Sequence, residues 1–196
     1  MRGLVSTLCC VLCVPFCLAM PLAAQEFYLD LSSDSAQVGY SPKSVYENSF
    51  PWGLGVYWND DHDVLASAYV ETPLDSNSFT QWIFSAKLAL FYLNLDRPDA
   101  STAGISAGVS AGYKFLTAFP LSLVVTAETS PDLLNTGSDI SRLDQLSGRL
   151  QADLSPYLRA HLGYRFYSAH FDEMVFHHKD SLDFEEKVFF GVTLVF

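Results

Sequence analysis

Ser168, His170 and Asp172 lie at a spacing of two, so an extended strand would present all three on one face. A serine, a histidine and an acid are the parts of an acyl-transfer site. Such a triad requires the acid to orient the histidine and the histidine to reach the serine, which three alternate residues of one strand rarely achieve. No glycine-flanked nucleophile motif accompanies them. The expectation is no catalytic residue, with a membrane-lipid hydrolase as the distant alternative.

A second set resembles metal-ligand material: Asp60-Asp61-His62-Asp63, and His177-His178 followed by Asp180, Asp183, Glu185 and Glu186. Oxygen-rich loops hold Ca²⁺ or Mg²⁺. Neither run has the regular spacing of an EF-hand loop. They read as solvated acidic loops that share divalent cations with lipid phosphates, and neither a cofactor nor a metal site of the protein's own is expected.

A third set consists of charges placed at alternate positions of apolar segments. Lys87, Lys114, Arg149, Arg159, Arg165 and Lys187 are basic; Asp30, Glu128 and Asp153 are acidic. The elements that position them have a period of two. Between 103 and 115, odd positions read Ala, Ile, Ala, Val, Ala, Tyr, Phe, and the even ones are Gly, Ser or Lys. Leu146–Leu154 and Leu158–Phe166 repeat the pattern on either side of Ser155-Pro156, which makes a hairpin. Soluble strands average about five or six residues, whereas a tilted membrane strand needs about nine to eleven. These segments have the longer measure.

The candidate strands are 26–33, 36–46, 51–59, 63–72, 81–94, 102–115, 120–130, 143–154, 157–168 and 187–196. The first two are weakly patterned, and Pro42 interrupts the second. The fold class expected is all-β: a closed, antiparallel, up-and-down transmembrane barrel of ten strands, or of eight without the first two. Closure removes the edge strands that lipid does not tolerate. Tight connections at Thr117–Phe119 and Ser155-Pro156 alternate with long ones at Pro131–Arg142 and Ala169–Glu186, which places the short turns in the periplasm. On the segment 81–94, Trp82 and Tyr92 are separated by roughly 33 Å of strand, or about 23 Å after tilt, near the height of an apolar belt between aromatic girdles.

The chain opens with Met1-Arg2, an apolar run from Leu4 to Ala19, and small residues at Ala23 and Ala24. This is the order of a secretory signal peptide spanning 1–24, with the barrel domain in 25–196. All four cysteines fall within it, so disulfides are excluded from the remainder. The formal charge of −11 becomes −12 without Arg2, since 1–24 holds no acid. So acidic a chain is a poor partner for nucleic acid. After the signal, no stretch is long and apolar enough for a transmembrane helix.

The segment Lys187–Phe196 puts Val188, Phe190, Val192, Leu194 and Phe196 on one face and ends on phenylalanine. A terminal strand of this kind resembles the signal read by the machinery that inserts barrels into the bacterial outer membrane. The sequence also resembles the YfaZ family of predicted outer-membrane proteins in Gly55–Val64, Ser130–Leu134, Ala160–Phe166 and the Phe-terminated strand. That resemblance implies a barrel among outer-membrane lipid and lipopolysaccharide, with no established activity and no catalytic residues to transfer. The charges facing inward, Lys87, Lys114, Glu128, Arg149, Asp153, Arg159 and Arg165, then predict a lumen filled by ion pairs. The role expected is structural or interaction-bearing. A narrow channel favouring anions is the alternative.

Overall fold

The structure is a computed structural model that describes residues 25–42, 52–74, 81–97, 99–117, 120–131, 135–137, 140–171 and 181–196. The expectations for the signal segment, Asp172, His177, His178 and Asp180 lie outside the described residues. Among the described residues eleven strands form one antiparallel sheet: β1 (Glu26–Leu31), β2 (Ser35–Ser41), β3 (Trp52–Asn59), β4 (Val64–Pro73), β5 (Trp82–Leu95), β6 (Ala100–Phe115), β7 (Leu121–Ser130), β8 (Asn135–Gly137), β9 (Ile140–Ser155), β10 (Leu158–Phe171) and β11 (Ser181–Val195). Each wall strand pairs with its neighbour in sequence, and β1 pairs with β11, which closes the ring. Ten strands make the wall. The three-residue β8 pairs with the top of β6, at Thr102–Gly104, beyond the point where β7 ends.

Both weakly patterned amino-terminal strands belong to the wall, so the barrel has ten strands and not eight. They are short, and the second stops at Ser41, before Pro42, rather than running to 46. The last strand begins at Ser181 instead of Lys187. A register shift opposite Tyr167 and Ser168 interrupts the alternation there, which hid six residues of strand from a period-two reading.

The apolar positions point outward. Leu88, Leu90, Val109, Val188 and Phe190 are each between 56 and 62 % exposed. Trp52, Trp58 and Trp82 stand on the same outer face. At the end of the barrel where β1 begins and β11 ends, Trp82 packs on Tyr113 at 4.8 Å and Tyr113 on Phe115 at 5.0 Å. Of the outward aromatics of β5, Trp82 and Phe84 stand together near one end and Tyr92 near the other, as an aromatic girdle at each margin requires.

Inside, space is limited, and glycines provide it where large rings cross a neighbouring strand. A Cβ at Gly163 would stand 2.5 Å from the Phe189 ring and 2.6 Å from the Gly148 carbonyl oxygen. A Cβ at Gly148 would meet only Val125, at an ordinary 3.9 Å. Gly163→Ala should therefore destabilise the barrel by about 1–3 kcal/mol through overpacking against backbone that cannot yield. Gly148→Ala should leave it unchanged. Urea unfolding of the two variants, side by side, checks this.

Candidate functional site: the charged lumen

The inward residues divide the lumen into two layers. At the end bearing the long loops, Leu65, Phe91, Leu93, Leu143, Phe171 and Phe184 converge into a buried apolar cluster inside the ring. Below it lies a polar cavity of about 180 Å³, extending toward the end where β1 begins and β11 ends. Its walls combine hydroxyl, amide and charged side chains with the rings of Tyr28, Tyr57 and Tyr69.

Arg165 is the centre of the polar layer. Its side chain is 1 % exposed, and its Nε donates to Glu185 Oε1 at 3.1 Å. Its Nη1 donates to Gln37 Oε1, and Nη2 approaches Ser35 Oγ at 3.4 Å. Glu185 accepts further bonds from Ser35 Oγ at 2.7 Å and Tyr57 OH at 2.8 Å. The guanidinium also lies over the rings of Phe189 and Tyr57, at 4.9 and 5.2 Å. A buried ion pair is tolerable only when its remaining donors and lone pairs are satisfied in this way.

Three further contacts join charged or titratable groups inside the ring, and of these the His161–Asp30 contact leaves the buried His161 Nδ1 without a partner. Lys87 Nζ meets Glu128 Oε2 at 2.6 Å, above the Tyr69 ring, and Ser106 Oγ donates to the same carboxylate. Arg159 Nη1 binds Glu26 at 2.5 Å while its Nε binds Asp153 at 3.1 Å. His161 Nε2 lies 2.5 Å from Asp30 Oδ1, a contact that passes over Gly191 because any Cβ there would overlap both groups. Glu71 accepts from Ser85 Oγ. Neither His161 nor Glu71 drew attention in the sequence as a lumen group. The signal available was their place on the inward alternation of β10 and β4.

Of the charges expected in the lumen, Lys87, Glu128, Arg149, Arg159 and Arg165 line the cavity or its boundary. Lys114 and Asp153 are exposed and stand at the rim where β1 begins, near the ends of β6 and β9. The expected basic excess is corrected. Lys87, Arg149, Arg159 and Arg165 are four cations, and Glu26, Asp30, Glu71 and Glu128 are four acids on the same lining. The acids were undercounted because Glu26 and Glu71 lie at strand ends. A balanced lining gives no electrostatic preference for anions.

The other candidate sets resolve into structure. Asn59 and Asp63 close the β3–β4 turn: Asp63 N donates to Asn59 Oδ1 at 2.9 Å, and His62 takes a left-handed φ of 69°. The Asp63 carboxylate accepts from Asn59 Nδ2 and from the Asp96 amide, both at 2.9 Å. Among the described residues no group of three His, Cys, Asp or Glu is gathered for a metal ion. His170 Nε2 meets Asp144 Oδ2 at 3.1 Å across to β9, but no hydrogen bond joins Ser168 to His170 among the described residues. The five residues of the terminal face stand as follows: Val188, Phe190, Leu194 and Phe196 are exposed on the outside, and Val192 is half-buried. In the β1–β2 turn, the hydrogen bond from Lys187 holds the Asp34 carboxyl below its usual range. Stabilisation from that exposed pair is present above the ordinary carboxylate pKa and is lost as pH falls through the folded-state value.

No protein-family model and no curated protein matches the chain. Among solved structures it is similar to a KdgM porin, at 12 % identity and a TM-score of 0.46, covering 88 % of this chain and 99 % of that one. A KdgM porin in complex with disordered oligogalacturonate gives 9 % and 0.42, with coverage of 88 and 99 %. A NanC porin gives 10 % and 0.39, with coverage of 88 and 98 %. Likenesses this distant do not bear on solute or activity. The fold stands on its own strand pairing.

Removing one member of a buried pair leaves an uncompensated charge. Glu128→Gln should cost about 3 kcal/mol, because Lys87 keeps its charge and loses its counter-charge. Lys87→Met with Glu128→Leu removes both charges and should recover most of that loss. Equilibrium unfolding of the three proteins measures both effects.

Proposed function

We propose that this protein spans the bacterial outer membrane as a small, closed barrel, structural or interaction-bearing, and neither an enzyme nor an open pore. One observation carries the reading: large apolar side chains cover the outside while ion pairs and hydroxyls fill the inside. A water-soluble barrel has the opposite arrangement. Monomeric soluble proteins rarely expose contiguous apolar patches beyond a few hundred Å², and here the outward faces of most wall strands are apolar. Ten strands offer little lumen beyond their own side chains, and the apolar cluster closes the loop end.

In this reading the short turns face the periplasm, the signal segment 1–24 is removed after export, and the face formed by Val188, Phe190, Val192, Leu194 and Phe196 serves insertion. Lipopolysaccharide and outer-membrane lipid are the surroundings, and the acidic loops share divalent cations with their phosphates. The YfaZ resemblance belongs to this proposal and rests on the quoted motifs. A narrow channel is the second reading, favoured by the polar cavity below the apolar cluster.

Electrophoresis of the detergent-extracted protein with and without boiling tests the first reading. The unheated barrel should migrate apart from the heated chain, and a soluble periplasmic species without that shift would overturn the proposal. Purified protein in planar bilayers should show no steady conductance; a steady current would establish the channel instead. Leu90→Arg, in the middle of the outer face, should cost about 2–4 kcal/mol in lipid, measured by urea unfolding from vesicles.

A further inference from the structure

The backbone ladder is uneven around the ring. β1 makes six residue pairs with β11 and six with β2, and β2 makes six with β3. The ladders β5–β6 and β9–β10 have fourteen each. The amino-terminal arc, β1 to β3, is therefore joined to β11 by six pairs, as few as in any ladder of the wall and one fewer than its other junction, β3–β4.

Side chains cross that same junction. From β10, Arg159 reaches over β11 to Glu26 of β1, and His161 reaches over Gly191 to Asp30. Arg165 of β10 reaches Ser35 and Gln37 of β2. Above Leu31, where β1 ends, the upper part of β11 has no β1 partner. There Lys187 binds Asp34 at 2.7 Å, Glu185 accepts from Ser35 and Tyr57, and Asn59 Nδ2 donates to the Phe184 carbonyl at 3.4 Å. Arg165 and Glu185 each take two partners from the arc, and Ser35 bonds to both of them.

We propose that the β10–β11 hairpin clasps the amino-terminal arc through these contacts, and that the clasp, more than the short ladder, keeps the ring closed. The arc is then a section of wall that opens first when the clasp is broken, exposing the polar cavity along the β1–β11 seam. The inference is independent of whether the lumen conducts.

The test uses Arg159 and Glu26, which lie toward the rim and are less central than Arg165. Arg159→Glu and Glu26→Arg should each lower the temperature at which the unboiled form disappears on a gel by roughly 10 °C. The double swap should recover at least half of that shift. Leu29 and Val192 are register partners across the seam. A disulfide between Leu29→Cys and Val192→Cys should restore the Arg159→Glu protein but not a Lys87→Glu protein, whose lost pair lies on the far wall. The proposal fails if the single variants melt like the wild type, if the double swap recovers less than half, or if the disulfide rescues both proteins or neither. A variant that does not fold is scored by the same swap and disulfide.

Discussion

Closing ten strands into a ring satisfies the backbone and, in doing so, creates two surfaces with opposite demands. Every wall strand finds a partner on each side, and the pairing of β1 with β11 removes the edge that would otherwise remain. Side chains then alternate between a narrow interior and an unlimited exterior. Along the middle of the wall large apolar groups go outward, and the polar groups sent inward pair with one another. The ion pairs of Arg165, Lys87 and Arg159 and the His161–Asp30 hydrogen bond follow from that geometry.

The same constraint explains why small residues line the interior of β6. Gly104, Ser106, Gly108, Ser110 and Gly112 occupy its inward positions, opposite strands that contribute Lys87 and Glu128. Long charged side chains need small neighbours if they are to meet across a strand. Gly191 does this for His161 and Asp30, and Gly163 does it for Phe189. Toward the loop end the interior changes character, with phenylalanine and leucine in place of ion pairs. That apolar layer needs no hydrogen-bond partners and takes over where the polar network ends.

Much of this was legible in the sequence because side-chain alternation is a property of single strands. The outward face of β5, the hairpin of β9 and β10, and the inward direction of Lys87, Arg149 and Arg165 all follow from a period of two. What was illegible depends on relations between strands. Register decides that Arg159 meets Glu26 across the seam as well as its neighbour Asp153, and no local pattern encodes register across the closing seam. The bulge beside Ser168 reversed the alternation and concealed the first six residues of β11. The amino-terminal strands looked weak because glycine and serine stand where neighbouring rings need space, as Gly39 does beneath Tyr28. The balance of charge is hard to read from alternation because Glu26 and Glu71 sit near strand ends, outside the most regular segments.

The central claim is that the apolar outer face meets lipid. All three tryptophans, Trp52, Trp58 and Trp82, stand on that face, which makes their fluorescence a direct probe. In vesicles of lipids brominated along the acyl chains, the emission should be strongly quenched and water-soluble acrylamide should have little access. Emission unaffected by brominated lipid but fully quenched by acrylamide would contradict the account.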